Sequence, residues 1–266
     1  MNTGYLISGY CRYYFDLNRI NMDIITFREI GESFTLITTK GKLQMKKVLI
    51  SLIIAVVVLI GACFVYVSVF FKKMDGVSTG SKIAQNQPDK PALLVIDIQE
   101  GITGKTAPKF TKNMVLQSEP FIEKVNQTIR LAQSKKMPVI YIRQENTDKI
   151  YSILFNNFLA EASPSAALDP RVTIVDGPVF TKSKMDAFSN PQLEEFLKAN
   201  NINHLYVTGL SAMACVDRTI KAALNREYTV TAITDAIIGE KAEKTELKYR
   251  EWEKAKAVLL KADQFR

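Results

Sequence analysis

Three reactive side chains lie at the ends of predicted β-strands: a carboxylate, an ammonium group and a thiol. Asp97 ends the first strand, Lys182 follows the third, and Cys215 follows the fourth, where a helix begins. Together these groups can hydrolyse an amide. The thiol attacks the carbonyl carbon, the carboxylate accepts the thiol proton, and the ammonium group holds both negative charges in place. We therefore interpret Asp97, Lys182 and Cys215 as candidate catalytic residues.

The turn before Cys215 has the composition of an oxyanion-binding site. The sequence VTGLSAMACVDRT, residues 207–219, joins a strand to a helix through small residues that let a substrate approach the backbone. We expect the backbone N–H groups of Ser211 and Cys215 to stabilise a tetrahedral oxyanion. A helix N-terminus and a nearby ammonium group both lower the pKa of a thiol, so a lowered pKa is expected at Cys215.

The elements that must position these residues alternate between strand and helix. Apolar runs predict five strands, and apolar residues at helical spacing predict the helices between them. This alternation indicates a parallel sheet covered by helices on both faces, with ligands bound beyond the carboxyl ends of the strands where the strand order reverses. The predicted strands are 92–98, 139–142, 172–175 or 179–180, 204–207 and 228–234, and the predicted helices are 120–133, 192–199, 213–226 and 240–262.

Composition and charge argue against several classes of protein. The chain has 266 residues, a net charge of +8, three cysteines and one histidine. The cysteines share no motif spacing, which argues against a disulfide framework or a zinc site, and one histidine cannot form a multi-histidine metal centre. Because the basic residues are dispersed, we expect no nucleic-acid partner. His204 opens the fourth strand at the end opposite the expected site, so we assign it a structural role.

An uncharged apolar run over residues 48–71 predicts a transmembrane helix. At ~1.5 Å per residue the run is long enough to cross a ~30 Å hydrocarbon core. Lysine pairs flank it on both sides and are nearly balanced, so they set its orientation only weakly. We expect a single-pass membrane protein.

The sequence around this run resembles a bacterial signal anchor. Met45-Lys46-Lys47 before an apolar run is typical of such a start, so residues 1–44 are interpreted as a segment upstream of it. An uncleaved anchor over residues 45–73 is favoured over lipoprotein cleavage before Cys63. With Met45 as the start, the catalytic domain is expected outside the cytoplasm. Residues 74–90 are polar and predict a linker.

Three segments resemble the isochorismatase-like cysteine hydrolase superfamily, which includes nicotinamidases and N-carbamoyl amide hydrolases. They are PALLVIDIQEG, KSKMDAFSNPQLEEFLKANNINHLYVTGLSAMACVDRT and ALNREYTVTAITDA. The most specific feature is a turn glycine followed by Cys-Val-x-x-Thr, here Gly209 and then Cys215 to Thr219. The resemblance spans residues 90–236. It implies a three-layer, Rossmann-like, doubly wound and mainly parallel sheet of about six strands.

The resemblance also implies roles for individual residues. The superfamily's catalytic triad falls on Asp97, Lys182 and Cys215, and its non-proline cis peptide falls at Leu210–Ser211, beside the oxyanion site. The residues that we assign to the substrate pocket are Gln99, Phe188 and Ala212.

Two departures from the superfamily pattern narrow the expected chemistry. Its nicotinamidases hold a metal with an aspartate and two histidines, but residues 146–180 contain no histidine. We therefore expect no metal and no other cofactor. Siderophore-pathway isochorismatases generally lack the nucleophilic cysteine, so Cys215 favours C–N hydrolysis over vinyl-ether cleavage. Loops 100–119 and 146–176 are expected to set specificity. Their aromatic residues, which we assign to core packing rather than to a pocket, are Phe110, Tyr151, Phe155 and Phe158.

The sequence thus predicts a membrane-anchored cysteine hydrolase with its catalytic domain over residues 91–266. It is expected to cleave a C–N bond of a small amide or carbamoyl compound through a thioester, and to form a dimer or tetramer, as the superfamily commonly does. Two alternatives remain open. One is an isochorismatase-type vinyl-ether hydrolase, and the other is a non-catalytic binding or thiol-sensing module on the same fold.

Overall fold

A computed structural model describes residues 20–84 and 87–265, with side chains from residue 42 onward. The chain forms two compact units that divide between Val65 and Tyr66. The helices are α1 Ile20–Met74, α2 Glu100–Thr103, α3 Lys112–Ser134, α4 Lys149–Leu154, α5 Pro191–Ala199, α6 Cys215–Asn225 and α7 Ala242–Lys254. The strands are β1 Pro91–Ile96, β2 Val139–Gln144, β3 Val179–Lys182, β4 His204–Leu210, β5 Thr229–Ile238 and β6 Val258–Leu260.

The six strands form one parallel sheet in the order β3-β2-β1-β4-β5-β6. The chain builds outward from β1 to β3, returns to the other side of β1 at β4, and then builds outward to β6. The strand order therefore reverses between β1 and β4, which is where a doubly wound sheet binds its ligands. The predicted doubly wound fold of about six strands is confirmed.

Alternate residues of β1 face two separate hydrophobic cores, which explains its uninterrupted apolar sequence. Leu94 and Ile96 pack into a core with residues of α5, α6 and α7. Leu93 and Val95 pack into a second core with residues of α3. Helices thus cover both faces of the sheet, and β1 lies at its centre.

One element differs from the sequence prediction, and one open choice is resolved. Of the two positions predicted for the third strand, 179–180 is the correct one, since β3 is Val179–Lys182 and Val172 is buried without belonging to a strand. The last helix was predicted through residue 262, but α7 ends at Lys254 and β6 pairs with β5. Alternating charged and apolar residues continue past Lys254 without a glycine or proline, so the helical pattern hides the break.

Helix α1 contains the predicted membrane segment. Its portion Lys42–Met74 is long and apolar enough to cross a membrane, and an 18-residue stretch within it has a mean hydropathy of 3.2. Most large apolar side chains between Val48 and Val65 are more than half exposed. Contiguous apolar exposure on this scale marks a surface that binds a membrane or another protein.

The segment after α1, which the sequence predicts to be a linker, is bonded to the second unit. Asp75 forms an ion pair of 2.6 Å with Arg218. The Ser78 N–H donates to Asp186, and the Ile83 N–H donates to the carbonyl oxygen of Arg226. Residues 75–83 are therefore fixed against the rest of the second unit, to which they belong, although they form no helix or strand.

Candidate active site

The predicted catalytic side chains meet at the carboxyl edge of the sheet. Lys182 Nζ lies 2.7 Å from Asp97 Oδ2 and 3.4 Å from Cys215 Sγ. The side chains of Lys182 and Asp97 are 0% and 2% exposed. A fourth residue, Gln144, accepts a hydrogen bond of 2.8 Å from Lys182 through its Oε1. The sequence prediction of Asp97, Lys182 and Cys215 as one cluster matches this geometry.

Four neighbouring strands bring these groups together. Lys182 and Gln144 are the last residues of β3 and β2, and they are register partners in the sheet. Asp97 directly follows β1, and its N–H is fixed by a 2.9 Å bond to the carbonyl oxygen of Ile142. Cys215 begins α6, which follows β4. The site therefore extends along the sheet edge and ends at the point where the strand order reverses.

Lys182 is held as a cation, and each of its three N–H groups already has a hydrogen-bond partner. An ammonium group has three N–H donors, and those of Lys182 bond to Asp97, Gln144 and Cys215. Burial lowers the pKa of Lys182, but the nearby Asp97 carboxylate opposes burial, and the pKa lies above its ordinary value. The side chain therefore stays charged and balances negative charge on its neighbours.

The Cys215 thiol behaves differently from the sequence prediction. A lowered pKa was expected, but burial, followed by the negative charge of Asp97, raises the pKa of Cys215 well above its ordinary value. Lys182 opposes this shift without cancelling it. The thiol is therefore protonated at rest, because desolvation and one carboxylate outweigh the helix N-terminus and one ammonium group.

Asp97 has an oxygen available to accept the thiol proton. Its Oδ2 bonds to Lys182, whereas its buried Oδ1 has no hydrogen-bond partner within the described residues. The backbone of Asp97 has φ of +55°, a left-handed conformation that aspartate tolerates better than most residues. A buried acceptor without a donor is costly, and such groups often mark a catalytic role.

The turn before α6 has two free backbone donors. The N–H groups of residues 212–214 and 216 donate to the carbonyl oxygens of Ser211 or Ile238, or to the Ser211 hydroxyl. Within the described chain, the N–H groups of Ser211 and Cys215 make no such bond. These are the two donors that the sequence prediction named. The Leu210–Ser211 peptide bond is cis, as predicted.

Gln99 holds Gln144 in place, and Gln144 holds Lys182. Of these two glutamines, Gln99 was named from the sequence but Gln144 was not. The Gln99 side chain accepts from the N–H of Gln144 and donates to its carbonyl oxygen, at 2.8 and 2.9 Å. Gln144 in turn accepts from Lys182 and lies 3.8 Å from Cys215 Sγ. The predicted second strand stopped at residue 142, so Gln144 was not placed at the sheet edge.

A cavity of about 240 Å³ opens beside Cys215. Loops 100–119 and 146–176, which the sequence predicts to set specificity, supply much of its lining. Phe110, Tyr151 and Phe158 line the cavity, whereas core packing was favoured for them; Phe110 is 65% exposed. Three of the four aromatic residues of these loops therefore line the cavity, and the fourth, Phe155, stacks on Tyr151 at 4.5 Å between ring centroids.

The three predicted pocket residues lie outside this lining. Gln99 is fully buried and bonded to backbone, with a second bond from its Nε2 to the carbonyl oxygen of Ala166. Phe188 and Ala212 pack within the core shared by α5, α6 and α7. These residues lie in the protein interior and are not placed to contact a substrate in the cavity.

The end of α1 supplies two lining residues that sequence reasoning missed. Phe71 and Met74 face the cavity. The helix end is held by Tyr66, whose hydroxyl donates to Asp148 at 2.6 Å, and by Phe70, whose ring stacks on Tyr151 at 4.6 Å between centroids. All of these residues belong to the second unit. The C-terminal end of the predicted anchor thus forms part of the wall of the candidate site.

Comparison with known proteins identifies the family. A family model described as the Isochorismatase domain matches residues 91–264, which is more than half of the chain. The chain belongs to the isochorismatase domain family. The uncharacterized isochorismatase family protein YrdC of Bacillus subtilis is 31% identical over 150 residues, 56% of this chain and 73% of YrdC. N-carbamoylsarcosine amidase of an Arthrobacter species is 30% identical over 152 residues, 53% of this chain and 56% of that enzyme.

Solved structures support the same fold for this isochorismatase-family chain. An isochorismatase-like hydrolase from Alkaliphilus metalliredigens superposes with a TM-score of 0.59 at 19% identity, covering 66% of this chain and 96% of that one. N-carbamoylsarcosine amidase from Thermoplasma acidophilum gives 0.56 at 21% identity, covering 65% and 97%. At these identities the likeness is one of fold. Family membership and the curated amidase relatives confirm the prediction of a hydrolase.

Proposed function

We propose that this isochorismatase-family enzyme hydrolyses the C–N bond of a small amide or carbamoyl compound through a thioester on Cys215. The observation that supports this most directly is the contact of Lys182 with both Asp97 and Cys215, in a buried cluster beside a cavity. Curated relatives point to the same bond, since they are named N-carbamoylsarcosine amidase and ureidoacrylate amidohydrolase.

In the proposed reaction, proton transfer and attack occur together. Cys215 Sγ forms a bond to the carbonyl carbon while its proton passes to Asp97 Oδ1. The carbonyl oxygen gains the negative charge and accepts hydrogen bonds from the free N–H groups of Ser211 and Cys215. Lys182 stays protonated throughout and stabilises the charges around it. A protonated resting thiol fits this scheme, because the base lies within the same cluster.

The intermediate then collapses and water completes the cycle. The C–N bond breaks, and the leaving nitrogen takes the proton from Asp97 to depart as ammonia or an amine. Water next attacks the thioester carbon and gives one proton to Asp97. The C–S bond breaks, the acid product leaves, and the proton on Asp97 returns to the Cys215 sulphur.

A release assay with mass spectrometry tests this proposal. The enzyme is incubated with primary amides, ureido acids and nicotinamide, and ammonia release is measured beside Cys215→Ala. We expect release that Cys215→Ala abolishes, together with an acyl mass on Cys215 after acid quenching. Release that survives Cys215→Ala would refute the nucleophile. Pyruvate release from a vinyl ether without an acyl adduct would support the alternative hydrolase.

The thiol-sensing alternative fits the site less well. Sensor cysteines have a lowered pKa and good access to oxidants, whereas burial and Asp97 raise the pKa of Cys215. A sensor also commonly has a resolving cysteine nearby, and Cys215 is the only cysteine among the described residues of the second unit.

We propose further that α1 anchors the enzyme in a membrane, which the exposed apolar side chains between Val48 and Val65 support. Fractionation of cells with alkaline carbonate tests this. The protein should stay in the membrane pellet, and Val57→Arg should shift it towards the soluble fraction, since a central arginine costs ~3 kcal/mol on insertion. Gln44→Arg adds the same charge outside the apolar run and is the control. Labelling of intact cells with an impermeant amine reagent determines the orientation.

A further inference from the structure

The cavity beside Cys215 has an apolar wall and one exposed carboxylate, Glu240, at its rim. The other charged side chain among its described lining residues is the buried Asp97, which is paired with Lys182. The lining residue Tyr151 is uncharged, because burial raises its pKa to about 12. The apolar wall includes Phe71, Met74, Phe110, Met114, Phe158 and Leu159.

A negatively charged substrate would find no cationic partner in this lining. Lys182 is the cation beside Cys215, but its three N–H donors already bond to Asp97, Gln144 and Cys215. Arginine and lysine are the usual partners of a bound carboxylate, and an ionised carboxylate that is desolvated without a partner is strongly disfavoured. The cavity therefore suits the uncharged part of a molecule.

Glu240 stands next to the point of attack. It follows β5, and its Oε1 accepts a 3.0 Å hydrogen bond from the hydroxyl of Ser211, a residue of the catalytic turn. Its backbone is tied to α3, because Asn113 donates to the Glu240 carbonyl oxygen at 3.3 Å. A carboxylate fixed there repels a second negative charge in the same cavity and attracts a positive one.

We propose that Glu240 is a specificity-determining residue that restricts this enzyme to amides without a negative charge. The preferred substrate has a carboxamide at Cys215 and an aromatic or aliphatic body against the apolar wall. A neutral or positively charged group lies towards Glu240. This inference rests on the proposed function and separates this chain from enzymes named for carboxylate-bearing ureido compounds such as ureidoacrylate.

The size of the cavity agrees with such a substrate. An apolar protein cavity of ~150 Å³ holds one benzene molecule. The cavity here is about 240 Å³ and thus has room for a six-membered ring with a carboxamide and one small substituent.

Three matched amides test the proposal on the full-length protein: benzamide, 4-carbamoylbenzoate and 4-(aminomethyl)benzamide. They share one ring and differ in the charge opposite the carboxamide. We expect kcat/KM for the anionic amide to be about tenfold to a hundredfold below that for benzamide, with the cationic amide equal to or above it. Glu240→Gln keeps an acceptor for Ser211 and should reduce the anionic penalty at least about fivefold. Glu243→Gln removes an exposed carboxylate of α7 outside the cavity and should preserve the wild-type ratio.

Binding of the same amides to Cys215→Ala, measured by calorimetry, gives an answer that does not depend on turnover. The neutral and cationic amides should bind more tightly than the anionic one, and Glu240→Gln in this background should narrow the difference. Equal binding or turnover of the anionic amide, no effect of Glu240→Gln, or no binding of any of the three overturns the inference. In the first two cases, loss of ammonia release in Cys215→Ala would still support the proposed thioester chemistry.

Discussion

The charge around Cys215 determines when its thiol ionises. One carboxylate and one ammonium group adjoin a buried sulphur, and burial together with Asp97 raises the pKa of the thiol. We therefore expect the proton to leave during attack on the substrate rather than before it. The rate of alkylation of the Cys215 thiol and the rate of amide hydrolysis should then respond differently to substitutions of Asp97 and Lys182.

Replacing Asp97 by Asn should separate these two reactivities. The change removes the negative charge that raises the pKa of Cys215 and leaves Lys182, which lowers it. Alkylation by iodoacetamide at pH 7 should become faster, by about tenfold or more, while amide hydrolysis should fall by about 10²-fold to 10⁴-fold through loss of the base. Stopped-flow alkylation across pH 6–11 measures the first effect and ammonia release the second.

Lys182→Met should shift the pKa of Cys215 in the opposite direction to Asp97→Asn. It removes the charge that lowers the pKa of Cys215, so the pH at which alkylation accelerates should move up rather than down. Circular dichroism should accompany both variants, because breaking a buried ion pair costs ~3–5 kcal/mol. Equal alkylation profiles in Asp97→Asn and the parent would contradict the assigned role of Asp97.

Gln144 is expected to act by positioning Lys182. In Gln144→Met the ammonium group loses its 2.8 Å acceptor, while the volume of the side chain is nearly kept. We expect kcat to fall by up to ~10²-fold, as for other misplaced catalytic groups, with KM changed much less. Steady-state kinetics over a range of substrate concentrations separate the two constants. Gln192→Met, an exposed change on α5, should leave both unaltered.

The clustering of the proposed catalytic residues was predictable because each is a reactive group that ends or follows a predicted strand. Asp97, Lys182 and Cys215 meet for that reason alone once the sheet is doubly wound. The support from Gln144 was not predictable, since a neutral amide at a strand end resembles any polar residue. The raised pKa of Cys215 depends on its depth of burial, which sequence patterns do not give.

Strands β1 and β4 approach closely at Gly209. The backbone there has φ of +122°, and a Cβ atom added to Gly209 would lie 2.1 Å from the carbonyl oxygen of Ile96. Only glycine satisfies both conditions without moving the strands. Since Asp97 and Cys215 follow these two strands, the spacing of the catalytic groups depends on this contact.

Gly209→Ala should therefore lower both stability and activity. We expect the free energy of unfolding to fall by about 2–4 kcal/mol, because a backbone clash and a strained φ coincide in the centre of the sheet. Urea denaturation followed by fluorescence of Trp252 measures the loss. Gly76→Ala is the matched control, since nothing lies within 4 Å of its added Cβ, and it should change stability by less than ~0.5 kcal/mol.

Most strands and helices follow from hydrophobic pattern, and the exceptions have a common cause. The strand that the sequence prediction missed, β6, and the strand whose position it left open, β3, are the edge strands of the sheet. An edge strand is short and only partly buried, so it has no continuous apolar run of the kind that marks β1. The residues Val258–Leu260 satisfied a helical spacing equally well, and pairing with β5 decides their conformation.

The end of α1 belongs to the catalytic unit although the family match begins only at residue 91. Met74 is buried and its carbonyl oxygen accepts from the Met185 N–H at 3.0 Å, next to the cavity. The boundary of the folded enzyme is therefore expected before Tyr66 rather than at the start of the family domain.

Two truncations test this boundary. A protein of residues 66–266 should remain folded and active without detergent, since it lacks only the first unit. A protein of residues 76–266 should lose Phe71 and Met74 from the cavity and be less stable by about 3 kcal/mol or more, given the burial of Met74 and the stacking of Phe70 on Tyr151. Thermal denaturation and ammonia release measure both effects. Equal behaviour of the two proteins would place the boundary after α1.

The proposed catalytic residues lie at strand ends, whereas much of the cavity wall lies on loops, and this difference affects how such an enzyme can evolve. The N–H of Asp97 is bonded to the central sheet, and Lys182 and Gln144 end their strands there. The most exposed part of the apolar wall, Phe110, lies instead on a loop. Substitutions at such exposed wall positions should cost little stability, whereas buried wall residues such as Met74 are constrained by folding. A lineage can therefore acquire new substrates most readily through the exposed positions while inheriting the same reaction.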